Sequence, residues 1–345
     1  MNSIFIKRKR GNNMKTALLT STGSVAADIV IKSLKRMDFY VVGCNIYPRE
    51  WIAESCEVDA FVQSPPVADN EKYLEFIKSL CEKEKIDYIF PMIDYEIDLM
   101  NNHRDWFENR GIVLCISPKS AIDIIRDKKK LAEFIETTCS DTVFIPTKKM
   151  SDVVEPEWPF PVVCKPFNGR SSQGLRYIHS DEEWKKAQTE VKQEDYIVQP
   201  FISGPRIVVE IVRQSVPNKV VAMTRRELIS TPHGCSLTVL TYHDEKLEKA
   251  ASNLANALGV IGDVNFEYIL DKDGIYHFIE CNPRFSAGCE FACMNGYDCV
   301  ENHIKCFMGQ EIEDYHFKHN MIIARKYEEY ITATNIDVPY GKTWN

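Results

Sequence analysis

Strand and helix patterns alternate along the first third of the chain, and this alternation restricts the fold more than any other feature of the sequence. Predicted strands lie at 16–22, 40–46, 86–93 and 112–117, and predicted helices at 25–37 and 71–85. Strands that alternate with amphipathic helices at this spacing predict βαβ units and a parallel sheet. We therefore predict an open α/β domain over residues 14–115, and we treat residues 1–13 as an extension outside the fold or a misassigned start.

Two loops of this domain are candidate ligand-binding segments. The first turn, TSTGSVAAD at 20–28, has one glycine where a dinucleotide-binding turn has GxGxxG, which argues against a nicotinamide cofactor. It is either a helix N-terminus that meets an anionic or polar substrate group or a plain strand-to-helix turn. Asp94 and Glu96 follow the third predicted strand, at the carboxyl end of the sheet, where ligands bind. They either recognise a cationic amine or cap a helix.

Composition narrows the function classes. A chain of 345 residues predicts two or three domains. The net charge of -8 argues against nucleic acid as a partner, since a face that binds nucleic acid is basic. No apolar run reaches 18 residues, so no membrane-spanning helix is predicted. The 12 cysteines never form a CxxC pair, a pattern typical of reduced thiols, and we predict a cytoplasmic protein.

The middle of the chain places a lysine beside a glycine-containing loop. A helix is predicted over 121–138, and a β-rich run then carries Lys165 and opens into NGRSSQG at 168–174. The backbone N–H groups of such a loop can surround phosphate oxygens while a lysine on the neighbouring strand supplies a positive charge. The spacing does not fit the GxxxxGK[ST] of a Walker A loop. On this pattern alone, a simple hairpin turn is the alternative.

Two carboxylates come from one predicted hairpin further along the chain. The segment 195–212 predicts a strand, a short connector and a second strand, and 259–285 predicts a hairpin that turns at an Asp-Gly pair. Antiparallel pairing around that turn brings Glu267 and Glu280 together near its open end, with the amide of Asn282 beside them. Two acids repel each other unless a positive charge lies between them, and this oxygen set is typical of a magnesium site completed by phosphates. The alternative is a solvent-exposed strand edge.

Taken in order, these motifs resemble the ATP-grasp superfamily, in particular its carbamoyl-phosphate-synthase-like branch. The resemblance rests on Lys128, Lys165, the NGRSSQG loop, VQPFI at 198–202, Glu267 and ECNPRFSAG at 280–288, and it extends over nearly all of residues 14–310. It implies an α/β and α+β fold, in which an N-terminal open parallel α/β (pre-ATP-grasp) domain precedes a two-lobed ATP-grasp module. The implied domains are the N-terminal domain at 14–115, a small lobe with a lid loop at 116–198 and a large lobe with the metal site at 199–345.

The resemblance also implies which residues bind ATP. The phosphates are assigned to Lys128, Lys165 and the loop residues Gly169, Ser171, Ser172 and Gly174. The hinge strand is assigned to Gln199, Phe201 and Ile202, with backbone groups of the last two at the adenine edge. Glu210 is implied as a ribose contact or a residue behind the ribose-binding groups. His233 is either a residue of a polar loop near the phosphates or a structural histidine.

The implied metal ligands are Glu267, Glu280 and Asn282, which would hold Mg²⁺, with Mn²⁺ as an alternative. Arg284 and Lys165 are the implied catalytic cations, placed at the transferring phosphoryl group. Many relatives have an acid after the hinge glycine, whereas this chain has Gly204-Pro205-Arg206, similar to biotin carboxylase-like members. That departure leaves ATP binding in place but puts the ribose contacts in question.

ATP-grasp enzymes join a carboxylate to a nucleophile, usually an amine, through an acyl phosphate. The resemblance therefore implies an ATP-dependent carboxylate–amine ligase that releases ADP and phosphate, acts on small molecules, has no nucleic-acid or membrane partner and is compatible with a homodimer. A small-molecule kinase or a carbamoyl-phosphate-type synthase on the same fold is the alternative, and a non-catalytic nucleotide-binding module is the least favoured. Arg225 and Arg226 either bind the acceptor carboxylate or are ordinary strand-edge charges.

Two observations separate the chain from well-known members of the superfamily. It shows one ATP-grasp module and no internal repeat, whereas carbamoyl phosphate synthase uses two modules, so full carbamoyl phosphate synthesis is not expected. About sixty residues follow Arg284, fewer than the additional C-terminal lobe of biotin carboxylase would need.

Overall fold

The computed structural model describes residues 5–7, 11, 14–169, 173–232 and 234–336. The described chain forms two compact units. The first contains residues from 1–100, 105–114 and 326–345, and the second contains 101–104 and 115–325. The sequence-based division into three domains stays a prediction. No helix of the described residues is long and apolar enough to cross a membrane.

The first unit is a parallel α/β sheet, as predicted. Its elements are β1 (Phe5–Ile6), β2 (Thr16–Leu19), α1 (Ala27–Arg36), β3 (Tyr40–Asn45), β4 (Ala60–Gln63), α2 (Asn70–Glu84), β5 (Tyr88–Phe90), α3 (Asp94–Asn102), α4 (Arg104–Glu108) and β6 (Val113–Leu114). The strand order is β1-β4-β3-β2-β5-β6, and all neighbours are parallel except β1 and β4. The strand order reverses between β2 and β5, which is where ligands bind in open α/β sheets.

Two short strands of the first unit were not predicted. Phe5 pairs with Phe61 and Ile6 with Ala60, so the prediction that residues 1–13 lie outside the fold was wrong at β1. Both β1 and β4 are too short to show a periodic pattern in the sequence. Strand β4 is identified only by its pairing with β3 and β1.

Glu96 connects the loops after β2 and β5. It is 1% exposed, and its carboxylate accepts hydrogen bonds from Thr20 Oγ1 at 2.6 Å, Tyr73 Oη at 2.6 Å and Ser21 Oγ at 2.8 Å. It also accepts from the backbone N–H groups of residues 92 and 93 at 3.2 and 3.3 Å, just before α3 begins. Burial raises the pKa of Glu96, and these donors oppose the rise. Of the two sequence-based alternatives for this residue, the contacts favour the helix cap.

We expect Glu96→Ala to destabilise the protein by roughly 2–4 kcal/mol, because it removes the acceptor of the buried Tyr73 hydroxyl and of the Ile93 N–H. It also leaves Thr20 Oγ1 and the Met92 N–H with only their longer contacts, at 3.4 and 3.3 Å. Urea denaturation measures the change. Glu75→Ala, on the exposed face of α2, is the matched control and should stay within about 0.5 kcal/mol of the parent. Equal losses in the two variants would contradict the structural role of Glu96.

The second unit contains two sheets. Its elements are α5 (Lys119–Ile125), α6 (Lys128–Thr138), β7 (Val143–Phe144), β8 (Lys148–Lys149), β9 (Val162–Pro166), β10 (Arg176–Ile178), α7 (Asp181–Glu190), β11 (Tyr196–Pro200), β12 (Arg206–Gln214), β13 (Lys219–Ser230), β14 (Ser236–Tyr242), α8 (Glu245–Leu258), β15 (Gly262–Leu270), β16 (Tyr276–Asn282), α9 (Cys289–Met294), α10 (Cys299–Met308) and β17 (Met321–Ala324). The four-stranded sheet has the order β10-β9-β11-β8, and the seven-stranded sheet has the order β17-β14-β13-β12-β15-β16-β7. All pairs are antiparallel except β16 and β7.

The predicted single helix over 121–138 is two helices. Asp127 has extended backbone angles, and its carboxylate accepts hydrogen bonds from the backbone N–H groups of Lys129 and Lys130, so it ends one helix and caps the next. The sequence pattern missed the break because the apolar spacing continues across it. As a result, Lys128 is the first residue of α6.

The seven-stranded sheet has one apolar face and one polar face. Ile207, Val209 and Ile211 of β12 are fully buried in a core that also contains Leu247 and Leu254 of α8. Since side chains alternate along a strand, Arg206, Val208 and Glu210 point to the opposite face. The polar face is therefore the one available for chemistry.

The 12 cysteines are all free thiols, and most of them are buried. This confirms the sequence-based expectation that they form no disulfide framework.

Candidate functional site

The predicted hairpin of β15 and β16 brings the two acids together. Glu267 lies directly opposite Glu280, and Asn265 lies directly opposite Asn282. The ladder is irregular just after Glu267, between that residue and Tyr268. Two carboxylates and two carboxamides therefore share one face at the open end of the hairpin, which confirms the predicted approach of the acids.

Hydrogen bonds and cations fix these side chains. Asn282 Nδ2 donates to Asn265 Oδ1 at 2.9 Å and to Glu267 Oε1 at 3.2 Å. Lys128 Nζ lies 3.3 Å from Glu280 Oε2, and Arg206 Nη1 lies 3.7 Å from Glu267 Oε2. Each carboxylate of the pair thus has its own cation, and each cation comes from a different element.

The electrostatic environment shifts the pKa values of two groups. Burial and the neighbouring charge of Glu280 raise the pKa of Glu267 to about 7, although Arg206 opposes the rise. Burial lowers the pKa of Lys165 to about 8, with Glu280 opposing and Lys128 adding to the decrease. These shifts indicate a desolvated site whose charges are not fully balanced by the protein alone.

These groups line one cavity of about 620 Å³ between the two sheets of the second unit. The predicted site residues on its wall are Lys128, Lys165, Gly169, Gln199, Phe201, Ile202, Glu267, Glu280, Asn282 and Arg284. Ser171, Ser172 and His233 lie outside the described residues. Gly174 and Glu210 are described but are not on the wall.

The connector between β11 and β12 forms one end of the cavity. Gly204 packs directly against the backbone at the end of β15, since a Cβ atom at this position would lie 1.9 Å from the carbonyl oxygen of Leu270. Phe201 N–H donates to the carbonyl of Pro161 at 3.2 Å, so the predicted backbone contact of Phe201 with a ligand is limited to its carbonyl oxygen. Gln199 Nε2 donates a hydrogen bond to Thr147 Oγ1 at 2.7 Å, so its side-chain amide connects β11 to the residue that precedes β8.

Glu210 is not on the cavity wall, which favours the predicted alternative of a residue behind the ribose-binding groups. It is fully buried, and its carboxylate pairs with Arg225 Nη1 at 2.5 Å. Arg225 also contacts Glu227 through Nε at 3.3 Å. Arg226 is exposed on the strand, which favours an ordinary surface charge for that residue.

The wall also contains residues that sequence reasoning missed as site residues, namely Arg206, Glu227, Asn265 and Ser286. Arg206 and Asn265 occupy the same strand faces as Glu210 and Glu267, because they are an even number of positions away. Alternation of polar residues along a predicted strand was the available signal. It does not distinguish an exposed face from a cavity wall.

The carboxylate pair suits one hard cation better than a cage of protein ligands. Within the described residues, no group of three or more His, Cys, Asp and Glu side chains is placed to hold a metal ion. Two carboxylates and an amide match the preference of Mg²⁺ for a few protein oxygens, with water and phosphate completing the shell. The unbalanced charge at Glu267 is also consistent with a cation between the acids. The residues therefore fit a magnesium ion.

Comparison with known families assigns both units. A family model described as an ATP-grasp domain matches residues 125–288, and one described as a PylC-like N-terminal domain matches residues 19–115. The chain contains an ATP-grasp domain. The predicted resemblance is confirmed for both the module and the domain that precedes it.

Curated relatives of this ATP-grasp protein include large chains of carbamoyl phosphate synthase. The chain is 22% identical over 294 residues to that of Clostridium acetobutylicum, covering 78% of this chain and 27% of the relative. It is 24% identical over 314 residues to that of Thermoplasma volcanium, covering 84% and 29%. These relatives agree with the predicted branch, and the chain spans between a quarter and a third of their length.

Solved ATP-grasp structures share the fold. The biotin carboxylase–β,γ-ATP complex of Campylobacter jejuni superposes with a TM-score of 0.76 at 20% identity, covering 90% of this chain and 75% of that one. The N5-carboxyaminoimidazole ribonucleotide synthetase of Thermotoga maritima gives 0.66 at 19% identity, covering 90% and 80%. The biotin carboxylase domain of the 2-oxoglutarate carboxylase of Hydrogenobacter thermophilus, a dimer in complex with MgADP, gives 0.75 at 20% identity, covering 91% and 75%.

Proposed function

We propose that this ATP-grasp protein is an ATP-dependent ligase that joins a carboxylate to an amine through an acyl phosphate, releasing ADP and phosphate. The observation that supports it most is that the opposed pair Glu267 and Glu280 shares the wall of one cavity with Lys128 and Lys165. Two acids beside two lysines are suited to a metal-bound triphosphate, because the anions hold the metal and the cations hold the phosphates.

In this proposal Glu267, Glu280 and Asn282 hold Mg²⁺, or Mn²⁺ in its place, which when bound neutralises charge on the nucleotide phosphates. Lys128 and Lys165 bind phosphate oxygens. Arg284 stabilises the negative charge on the γ-phosphate and on the acyl phosphate that follows from it. The connector at 201–204 receives the adenine, with the carbonyl of Phe201 as one acceptor.

The reaction needs little covalent participation by the protein. The substrate carboxylate attacks the γ-phosphorus, the bond to the β-phosphate oxygen breaks, and ADP leaves with that oxygen. The amine nitrogen then attacks the activated carbonyl carbon, phosphate leaves and the nitrogen loses a proton. Preorganised cations stabilise the charge that develops in both steps, because they are already oriented in a desolvated site.

The wider biological setting is also a proposal. The substrates are a small-molecule acid and a small-molecule amine. The free thiols support a cytoplasmic location. The dimer formed by the biotin carboxylase domain of the Hydrogenobacter thermophilus enzyme, which shares the fold, supports a homodimer for this chain.

Hydroxylamine trapping tests the reaction class. With ATP, Mg²⁺ and a panel of carboxylic acids, and with no amine present, the protein should form a hydroxamate from the correct acid and release ADP. Phosphate recovered from an acid labelled with oxygen-18 in its carboxylate should carry one labelled oxygen. Release of AMP, or unlabelled phosphate, would exclude the acyl-phosphate ligase. A stable phosphorylated product that does not react with hydroxylamine would instead support the kinase alternative.

The metal assignment predicts a loss of cation binding in Glu280→Gln. The substitution keeps the shape of the side chain and removes its charge, so Mn²⁺ affinity measured by electron paramagnetic resonance should fall by on the order of tenfold or more. Metal-dependent turnover should be abolished in the same variant. Glu194→Gln, an exposed residue beyond α7, is the control and should leave both unchanged. Unaltered Mn²⁺ binding in Glu280→Gln would refute the assignment.

The pKa of Lys165 predicts a pH dependence of ATP affinity. Since its pKa is lowered to about 8 by burial, Lys165 is charged below pH 8 and becomes neutral above it. A phosphate ligand binds the charged form, so affinity for MgATP should fall by on the order of tenfold per pH unit above pH 8. Isothermal titration calorimetry between about pH 7 and 9.5, a range that spans this pKa, measures the change.

Lys165→Arg is the matched variant, because arginine stays charged throughout this pH range. Its ATP affinity should vary much less with pH than that of the parent. The same steep fall in both proteins would show that another group is responsible.

A further inference from the structure

A buried cluster of charged side chains lies beside the loop that follows β16. Its members are Arg225, Glu210, Glu227 and Ser286, and we refer to them as the Arg225 cluster. Arg225 Nη1 contacts Glu210 Oε2 at 2.5 Å, Arg225 Nε contacts Glu227 Oε1 at 3.3 Å, and Arg225 Nη2 donates to Ser286 Oγ at 3.2 Å. One guanidinium therefore joins two strands of the sheet to one residue of the loop.

Three members of the cluster, Arg225, Glu227 and Ser286, lie at the cavity wall, yet the cluster is almost inaccessible to solvent and is no surface salt bridge. Glu210 is fully buried, and Arg225 is 4% exposed. Burial acts to lower the pKa of Arg225, but Glu210 and Glu227 overcome this effect and raise it, so the guanidinium stays charged. Taking such charges out of water is unfavourable unless their geometry is well satisfied, and the gain in stability over apolar side chains is small. We therefore expect the Arg225 cluster to have a role other than stabilising the fold.

Ser286 is the point at which the loop is attached. Its hydroxyl donates to Glu210 Oε2 at 2.8 Å and accepts from the backbone N–H of Gly288 at 3.0 Å, in addition to its contact with Arg225. The residue is 3% exposed. Its side chain thus links the loop both to β12 and to its own backbone.

The loop packs closely against the guanidinium. A Cβ atom on Gly288 would lie 2.7 Å from Arg225 Nη2 and 2.9 Å from its Cζ, distances that a real Cβ does not adopt. Ala287, which lies between Ser286 and Gly288, is also held in place, because Arg325 Nη2 donates a hydrogen bond to its carbonyl oxygen at 2.7 Å. Three consecutive loop residues are therefore held in place.

Arg284 lies between two attached positions. On one side, Asn282 is fixed by its hydrogen bonds to Asn265 and Glu267. On the other side, Ser286 is fixed by the Arg225 cluster. Only one residue separates Arg284 from Asn282 and only one separates it from Ser286, so the backbone at Arg284 has little freedom to shift.

We propose that Arg225 is a positioning residue that, together with Glu210 and Ser286, sets the position of Arg284 relative to the transferring phosphoryl group. This inference rests on the proposed function, which places Arg284 at the γ-phosphate. It also assigns a use to a buried arginine that the sequence left open between a substrate contact and a strand-edge charge. A displacement of about 1 Å in a charged group at the reacting atoms is enough to lower a rate by on the order of a hundredfold.

The γ-phosphate contact can be measured without either substrate. The ratio of the Kd of MgADP to the Kd of the magnesium complex of the non-hydrolysable analogue AMP-PNP isolates what the γ-phosphate adds to binding. Arg284→Ala should lower this ratio. Ser286→Ala should also lower it, by on the order of tenfold, while the Kd of MgADP stays within about twofold of the parent.

The double variant decides between positioning and direct contact. If Ser286 acts through Arg284, then Ser286→Ala should change the ratio by less than about twofold when Arg284 is already alanine. Gly288→Ala provides an independent test, because its added methyl group pushes on the Arg225 guanidinium and deletes no hydrogen bond. It should lower the ratio in the parent and not in Arg284→Ala. Ser151→Ala, on an exposed turn, is the control and should have no effect.

Two results would overturn the inference. One is an equal effect of Ser286→Ala with and without Arg284, which would mean that Ser286 contacts the ligand itself. The other is an unchanged ratio in both Ser286→Ala and Gly288→Ala. A failure of the proposed function looks different, because then Arg284→Ala alone leaves the ratio unchanged or no acid yields a hydroxamate.

Discussion

Two carboxylates that face each other across neighbouring strands are the constraint on which the cavity depends. Like charges directly opposite in a sheet are destabilising, and burial adds to the repulsion between Glu267 and Glu280. Arg206 from β12 and Lys128 from α6 reduce that repulsion, each from its own side. The acid pair therefore requires elements that are distant in the sequence to converge, and their convergence encloses the cavity.

The same principle operates at the Arg225 cluster, with the signs reversed. There one cation sits between two carboxylates, Glu210 and Glu227, on the same face of the same sheet. Strand alternation explains why the two charge clusters share a face, since the opposite face of β12 is filled by an apolar core against α8. The polar face thus carries both the groups suited to a metal-bound nucleotide and the groups that hold the adjoining loop in place.

How far the site could be predicted depended on whether its residues are local in the sequence. The hairpin and the approach of Glu267 and Glu280 were predicted correctly, but the Asp-Gly turn alone would place Glu267 opposite Ile279. One extra residue in β16, between Phe278 and Glu280, shifts the register and puts the two acids opposite each other, and the sequence did not indicate this irregularity. The break between α5 and α6 was missed, because it depends on a side-chain cap by Asp127 within a continuous apolar pattern. For Glu210 the resemblance left open a ribose contact or a residue behind the ribose-binding groups, and its burial and its pairing with Arg225 favour the second.

The sequence by itself determined the parallel α/β unit, the antiparallel hairpin and the identity of the residues that give the chain its family. These depend on periodicity, turn chemistry and ordered motifs, all of which are local. Only the tertiary structure decided which cation faces which acid, that the N–H of Phe201 is already bonded to Pro161, and that Ser286 is attached to Arg225. The physical reason is that such partners meet through the order of strands in a sheet, and spacing along the chain does not encode that order.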